Sequence, residues 1–411
     1  MSRVPLVAET LVDRAVQWIA PAWGLRRRQS RLALAMSGGY VAGRRSRRAT
    51  QGWSTSESSA NSALLPDLAV IRDRSRDLVR NAPLAGGAMA TVVTNVVGTG
   101  LKLRAQIDAR RLGLDADRAD EWERSAEAEF ALWADSTDSD LARSVAFAGF
   151  QDLALRAVLE AGDVFVALRW QERAGSPYAL ALQGIEGERV CNPHRRGDTA
   201  SLAGGVERDA AGAPVAYHIA DRHPGDLRSG AIAWDRYPAY DDTGRRRILH
   251  LFKPARFEAS RGTPFLAPVV ESLKQIDRYG DAELMAAVVN ACFAIVTQTE
   301  TGGPALGPLA RQPASTTAGS PSDDLKRADV DFESGLVIDG LRPGEAIKSF
   351  ESGRPNDNFD PFVQAVLRQV GVALEIPYEV LIKHFTASYS AARAALLEAW
   401  KMFRTRRVWL A

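Results

Sequence analysis

The hydrophobic residues of this chain recur at helical spacing near both ends and at strand spacing in the middle. Residues 6–19 carry an apolar stripe that stops before Pro21 and predicts one amphipathic helix. The stripe consists of Val7, Leu11, Val12, Ala15, Trp18 and Ile19. The basic segment that follows, up to about Ser62, lacks this period and is predicted to be a loop.

Four helices are predicted in the part of the chain that follows this loop. Residues 67–97 are helical in character but are interrupted near Pro83 and stopped at Gly98, which predicts two consecutive helices. Residues 117–135 and 145–160 predict two further amphipathic helices.

Short β-branched or alternating runs in the middle of the chain predict one modest antiparallel sheet. The runs are residues 163–170, 178–183, 215–220 and 246–252, and Gly, Pro and Asp turns separate them. Together with the preceding helices, they predict an α+β fold for this region.

One long helix is predicted from Pro264 to Glu300, because its two prolines lie in the first turns, where proline is tolerated. Residues 301–322 are rich in Gly, Pro, Ala, Ser and Thr and predict an exposed loop. The remaining predicted elements are strands at 336–339 and 345–350, a helix at 358–374, a turn at Ile376-Pro377 and a helix at 388–407.

Composition is that of an ordinary globular protein, with 411 residues, enough for two or more packed regions. Cys191 and Cys292 are the only cysteines, so the sequence predicts neither a disulfide framework nor a cysteine metal site.

No leader peptide is expected, and the uncharged runs 81–101 and 284–299 are not interpreted as membrane spans. The second run suggests a helix covered by neighbouring chains, and therefore an oligomer.

The net charge of +2 conceals an asymmetry along the chain. Residues 1–50 hold ten arginines and two acids, which gives +8 and leaves −6 for the remainder. The arginine clusters at 26–28 and 44–48 suit contacts with phosphates, and so does the basic segment 401–407. A solvated arm is the alternative interpretation of the first segment.

The residue pattern offers little enzymatic chemistry. It lacks a GxxxxGK[ST] phosphate loop, an HExxH motif, a GxSxG elbow and a dinucleotide fingerprint. Gly98 and Gly100 form a GxG that ends a helix and precedes a predicted strand at 101–104, the reverse of the order that binds phosphate. The five histidines have no metal spacing, so neither a metal nor a cofactor is expected.

Two alternative functions remain open from the residues alone. Glu186 and Glu188 follow an apolar strand and His250 lies in another, which leaves a hydrolase hypothesis. The arginine clusters within residues 26–48 leave a second hypothesis, a general nucleic-acid-binding protein.

Ten short motifs follow one another along the chain in a fixed order. They are RDLVRNAP at 76–83, TNVVGTG at 94–100, GVE at 205–207, PVAYH at 214–218, ILHLF at 248–252, RGTP at 261–264, YGDAEL at 279–284, LRPGE at 341–345, IPYE at 376–379 and SYSAARAALLE at 388–398. In this order they resemble the signature of lambda-type portal proteins of tailed bacteriophages and prophages. The resemblance covers roughly residues 50–411.

The resemblance implies an α+β portal fold that forms a ring, usually a dodecamer, around a central DNA channel. The family plan divides this chain into a basic arm at 1–62, an α+β wing at 63–260, a first stem helix at 261–300, a small clip at 301–352, a second stem helix at 353–376, and a tunnel loop with a long wing helix at 377–411.

The same plan implies which residues meet DNA and the packaging machinery. Those expected to face the channel, in the tunnel loop and stem, are Lys383, His384, Phe385, Lys274, Arg278 and Arg368. Those expected to dock the packaging ATPase (terminase) or an adaptor, in the clip, are Arg311, Lys326 and Arg327. Sequence-independent phosphate contacts suit a channel through which DNA must slide.

The partners implied are further copies of the chain, double-stranded DNA, the terminase large subunit, a head-completion or adaptor protein, and the major capsid and scaffolding proteins. The resemblance implies neither contact with a membrane nor an enzymatic activity. The implied location is the portal vertex of the virion, after assembly in the cytoplasm of the bacterial host. Residues 256–260 depart from the family's usual Gly and Gln before Arg261. Because family members run on beyond the equivalent of Ala411, the C-terminal crown is expected to be missing.

Overall fold

The computed structural model describes residues 11–36, 52–55, 57–227, 230–292, 296–299, 345–348, 358–385 and 388–411. The chain forms two compact units, residues 1–58 and residues 59–411. The predicted loop at 301–322 and the predicted strand at 336–339 lie outside the described residues.

The first unit contains two helices, α1 (Leu11–Ile19) and α2 (Pro21–Met36). The loop predicted after Pro21 is therefore wrong as far as Met36. Pro21 occupies the first position of α2, where its missing N–H costs nothing, and the Ala, Leu and Arg residues that follow favour a helix. The arginine cluster at 26–28 thus lies on a helix.

The second unit contains nine further described helices. They are α3 (Ala60–Asn81), α4 (Pro83–Val96), α5 (Ala109–Leu112), α6 (Ala116–Asp135), α7 (Phe147–Ala161), α8 (Val270–Cys292), α9 (Phe359–Leu374), α10 (Tyr378–Ile382) and α11 (Tyr389–Leu410). The longer helices predicted before residue 161 and after residue 357 are confirmed. Helix α3 begins earlier than predicted, because the Ser59 side chain accepts the N–H of Ser62 and caps it.

Helix α4 is the centre of the helical core. Its residues Ala85, Met89, Val92, Val93 and Val96 are all buried, as expected for a helix that is apolar on most sides. The same hydrophobic cluster includes residues of α3, α7, α8, α9, α10 and α11. Segments far apart in sequence therefore share one core.

The strands form two larger antiparallel sheets where one was predicted. The strands are β1 (Asp163–Trp170), β2 (Leu180–Glu186), β3 (Leu202–Ala203), β4 (Val206–Arg208), β5 (Pro214–Ala220), β6 (Trp234–Pro238) and β7 (Ile248–Phe252). The first sheet has the order β2-β1-β7 and the second has the order β3-β4-β5-β6. Strands β3, β4 and β6 were missed because they are short, polar or both.

The strand predicted at 101–104 is absent from the structure. The N–H of Leu101 donates to the side-chain oxygen of Gln151 at 2.7 Å, and the N–H groups of Ala105 and Ile107 donate to Glu127 and Glu123. These side chains replace the partner strand that a β-ladder would need.

The long helix predicted from Pro264 to Glu300 is shorter at both ends. A 3₁₀ turn at Ala267–Val269 precedes α8, and α8 ends at Cys292. Strand β8 (Val296–Thr299) follows and pairs with β9 (Glu345–Lys348) in an antiparallel ribbon. The β-branched residues of the sequence VTQT favour the strand over a continued helix.

Helices α8 and α9 pack against each other as an antiparallel pair. The ring of Tyr279 on α8 lies 5.1 Å from that of Phe359 and 5.5 Å from that of Phe362, at the start of α9. Leu273 belongs to the same core cluster as Val370 and Leu374, so α9 returns toward the start of α8.

Candidate DNA-channel surface

The predicted tunnel-loop residues lie together on the short connection between α10 and α11. Helix α10 ends where Lys383 adopts a left-handed conformation with φ 55°. The N–H of His384 then donates to the carbonyl oxygen of Glu379 at 3.1 Å. The side chains of Lys383, His384 and Phe385 are all exposed. The local fold therefore presents one cation, one imidazole and one aromatic ring to the surroundings.

Arg368 on α9 lies beside the helix that carries this loop. Its guanidinium carbon is 5.5 Å from the centroid of the Tyr378 ring, at the start of α10, and its Nη2 donates to Gln364 Oε1 at 3.0 Å. Arg368 remains exposed. The ring of Tyr378 and the amide of Gln364 thus position its charge at the surface near α10.

Lys274 and Arg278 lie one turn apart on α8, and so on the same face of that helix. Lys274 forms an ion pair with Asp277 at 3.1 Å, whereas Arg278 is exposed. Among the described residues, neither cation forms a hydrogen bond or an ion pair with Lys383, His384 or Phe385. Arg311, Lys326 and Arg327 lie outside the described residues.

A buried charge cluster holds the start of the chain segment that leads into α8. Asp163, at the start of β1, is fully buried and accepts hydrogen bonds from Arg72 of α3 at 2.7 Å and from Nε of Arg261 at 2.5 Å. Nη2 of Arg261 also donates to Asp163, at 3.0 Å, and the N–H of Gly262 donates at 3.3 Å. One carboxylate therefore joins α3, β1 and the residues before α8.

The pKa of Asp163 follows from these contacts. Burial alone would raise it, but the Arg261 and Arg72 guanidiniums and the hydrogen bond from His250 hold this pKa well below its usual range. Burial and the neighbouring Arg261 lower the pKa of Arg72 to about 10, which leaves Arg72 charged at neutral pH. The cluster is thus a hydrogen-bonded ionic centre.

The first two residues of the RGTP motif at 261–264, Arg261 and Gly262, both donate hydrogen bonds to Asp163 in this cluster. Arg261 also donates to the carbonyl oxygens of Val190, Gly204 and Gly187. A Cβ on Gly262 would lie 1.9 Å from the carbonyl oxygen of Gly162, so no larger residue fits there. Arginine and glycine at these positions serve the fold.

A family model matches most of the chain, from the second arginine cluster to α11. Residues 46–407 match the model described as "Phage portal protein, lambda family". The chain belongs to the lambda family of phage portal proteins. As a member of this family it is a structural component of the virion.

The curated proteins similar to this portal protein include portal proteins of two Escherichia phages. It is 27% identical over 376 residues to the portal protein of Escherichia phage N15, a stretch that covers 88% of this chain and 70% of that protein. It is 26% identical over 374 residues to portal protein B of Escherichia phage lambda, which covers 87% of this chain and 69% of that protein.

The solved structures similar to this portal protein include two chains from GTA necks. A chain in "Neck of empty GTA particle computed with C6 symmetry" has 15% identity and a TM-score of 0.47, covering 78% of this chain and 75% of its own. A chain in "Neck of native GTA particle computed with C12 symmetry" has 12% identity and a TM-score of 0.46, covering 80% of this chain and 74% of its own.

The residues of the hydrolase hypothesis do not form a catalytic group in this portal protein. The His250 ring is stacked between Phe165 and Phe252, with centroids 4.1 and 4.2 Å away, and its Nε2 lies 3.4 Å from Asp163. Burial lowers the pKa of His250, so the imidazole is neutral at pH 7. This histidine belongs to the core.

The two glutamates of that hypothesis bind arginine instead. Glu188 lies 2.9 Å from Arg76, which also lies 3.6 Å from Glu186. Within the described residues, no group of three or more His, Cys, Asp or Glu side chains could hold a metal ion. The hydrolase alternative therefore finds no support.

No described helix is long and apolar enough to cross a membrane.

The structure assigns a structural role to part of the basic segment 401–407 of this portal protein. Arg407 donates to the carbonyl oxygens of Val96 and Asn95, both at 2.8 Å, and so caps the C-terminal end of α4. Lys401 pairs with Glu398. Arg406 lies 4.6 Å over the Phe265 ring, and burial lowers its pKa. These contacts pair residues up to 312 positions apart, which sequence spacing cannot reveal.

Proposed function

We propose that this portal protein assembles into a closed ring, expected to be a dodecamer, whose channel passes double-stranded DNA during packaging and ejection. Its family membership supports this role. A subunit that joins identical copies in a ring needs two complementary surfaces, because each copy contacts its neighbours head to tail.

An exposed apolar face on α8 and α9 is the observation that carries the proposal. Leu284 is 67% exposed, and Met285 and Val288 on the same helix are more than half exposed, as is Phe362 on α9. Burying this many large apolar side chains against a neighbour is favourable by about 25 cal/mol per Å². We therefore assign this face to contacts between subunits.

The remaining parts of the chain follow the portal plan. In this proposal residues 63–260 form the wing, α8 and α9 form the two stem helices, and the β8–β9 ribbon marks the base of the clip. Arg311, Lys326 and Arg327 of the clip would dock the terminase large subunit during packaging and a head-completion protein afterwards.

The tunnel loop at 383–385 would meet DNA in this assembly. Lys383, Arg368 and Arg278 are exposed, whereas Lys274 is paired with an acid, so each subunit would offer only a few free cations to the channel. Few and weak phosphate contacts let DNA slide without sequence preference. The subunit would act mechanically, within the capsid and scaffolding proteins, and would assemble in the host cytoplasm.

Light scattering after size exclusion, with negative-stain images of the same peak, tests the ring. The wild type is expected to form a large ring with a central hole. The double variant Leu284→Glu/Val288→Glu is expected to elute as a folded monomer, because it places charges on the proposed contact face. Leu227→Glu is the matched control, since Leu227 is fully exposed in a loop.

A wild-type chain that stays monomeric at high concentration would overturn the proposed ring. A double variant that still forms the ring would reject the α8 face as a subunit contact. Circular dichroism of each variant separates loss of assembly from loss of folding.

A further inference from the structure

The N-terminal unit presents a basic helical hairpin with an exposed apolar turn. Helices α1 and α2 pack closely at Gly24, where a Cβ would lie 2.8 Å from the Cα of Gln17. At the turn, Trp18 is 88% exposed, and Ile19 and Trp23 are exposed nearly as fully. Residues 11–36 contain five arginines and one acid. This surface suits a partner that is both apolar and acidic.

Helix α6 in the second unit has an outer face with the complementary character. Seven acids and two arginines occur among its twenty residues. On the exposed side lie the small residues Ser125 and Ala128 and the 64%-exposed Leu132, with Asp117 and Glu121 in the preceding turns. Neither carboxylate has an ion-pair partner among the described residues. The opposite side of α6 is packed through Ala119 and Trp133.

We propose that the α1–α2 hairpin of one copy packs on the outer face of α6 of a second copy. This inference rests on the proposed ring and adds a second contact to it. The arginine cluster at 26–28 would face the α6 carboxylates, while Trp18, Ile19 and Trp23 would cover Leu132 and Ala128. Double-stranded DNA is a poorer partner, because its phosphates attract arginine but its surface offers little to cover Ile19.

The chain between α2 and α3 sets how far the hairpin can reach from its own subunit. Residues 37–59 separate α2 from α3, and 23 residues span up to roughly 75 Å when fully extended. Once the stem surfaces have brought two copies together, docking of the hairpin no longer requires two free molecules to associate. A modest contact is therefore enough to keep it docked.

Photocrosslinking in rings of mixed isotopic composition tests this contact. Trp23 is replaced by p-benzoylphenylalanine, and copies grown in ¹⁵N and ¹⁴N medium are unfolded, mixed and reassembled before illumination. Mass spectrometry is expected to find crosslinks from position 23 to residues 117–135 that join a ¹⁵N peptide to a ¹⁴N peptide.

A charge exchange provides the matched control. Changing Arg26, Arg27 and Arg28 to Glu is expected to lower the yield of these crosslinks about fivefold, because like charges then face each other. Adding Asp117→Arg and Glu121→Arg to that variant is expected to restore the yield. The same arginine-to-glutamate changes at Arg110 and Arg111, on α5, are expected to leave it unchanged.

The assembly state separates this inference from the ring itself. If the rings form but every crosslink joins two peptides of the same isotope, or falls outside α6, the docking is overturned and the ring stands. The failure of the second charge exchange to restore the yield would overturn it as well. A wild-type monomer would reject the ring, and the docking with it.

Discussion

At the scale of single residues, the Asp163 carboxylate joins α3, β1 and the residues before α8. Its side chain is fully buried, and two arginines, one backbone N–H and a histidine surround its carboxylate. A buried ion pair of this kind adds little net stability over an apolar core, but removing one partner leaves the others charged and unpaired. Substitutions here should therefore affect the whole fold.

Asp163→Asn is expected to lower the free energy of unfolding by about 3–5 kcal/mol, because Arg72 and Arg261 keep their charges without a buried counter-ion. Urea denaturation of the two proteins measures this difference. Asp152→Asn is the control, since Asp152 pairs with Arg156 on the exposed side of α7 and should change stability by less than about 0.5 kcal/mol. Equal effects of both changes would contradict the role given to the cluster.

The same carboxylate predicts how stability depends on pH. The arginines hold the pKa of Asp163 below its value of about 3.9 in an unfolded chain. A depressed carboxylate pKa adds stability above pH 4, and this stability is lost as the pH falls further towards the folded pKa. The stability difference between wild type and Asp163→Asn is therefore expected to be constant from pH 5 to 7 and to shrink below pH 4. A constant difference down to pH 2.5 would show that folding does not lower the pKa of Asp163.

At the scale of elements, the sequence predicted what local periodicity determines. Helices α6, α7, α9 and α11 follow from apolar residues at spacings of three and four, and Pro83 marks the break between α3 and α4. The resemblance also predicted a tunnel loop between the motifs around Ile376 and Ser388. Lys383, His384 and Phe385 lie exposed on the connection between α10 and α11, and their place in a DNA channel stays a prediction.

The elements that the sequence could not predict depend on partners far along the chain. The segment 101–107 has strand-like residues, but side chains of α6 and α7 bind its backbone. The second sheet forms because β5 pairs with β4 and β6, two short strands with polar residues that the sequence did not predict. Arg261 meets Asp163 across 98 positions, which no local pattern records.

The contact between the Gly162 and Gly262 backbones predicts a sharp contrast between two glycine substitutions. Gly262→Ala is expected to cost about 3 kcal/mol or more, since a Cβ there would lie 1.9 Å from the Gly162 carbonyl oxygen. Gly87→Ala, within α4 and with no atom within 4 Å of the new Cβ apart from its chain neighbours and its own helix backbone, is expected to stabilise the protein by about 0.5–1 kcal/mol. Thermal unfolding of the two variants checks both signs, and a stable Gly262→Ala protein would contradict the tight contact.

At the scale of the whole molecule, the described structure separates the groups that stabilise the subunit from the groups left to meet other molecules. Arg72, Arg261 and Arg407 are bound within the protein, and they join elements distant in sequence. Lys383 and His384 make no ion pair among the described residues and lie on an exposed loop. In a ring, symmetry repeats that loop around the axis, so a weak contact in one subunit is multiplied.

In the proposed ring, this repeated loop is the part expected to touch DNA. Lys383→Ala/His384→Ala is expected to leave ring assembly unchanged, because both side chains are exposed and make no ion pair within the described subunit. The same variant is expected to lower DNA filling of capsids about fivefold, because every copy loses a phosphate contact. Nuclease-protected DNA per capsid measures filling, and light scattering measures assembly. The control removes two exposed cations elsewhere, Arg110→Ala/Arg111→Ala on α5, and should fill capsids normally. If the loop variant also fills capsids normally, residues 383–385 do not face the DNA, and Arg368 beside α10 becomes the next side chain to test.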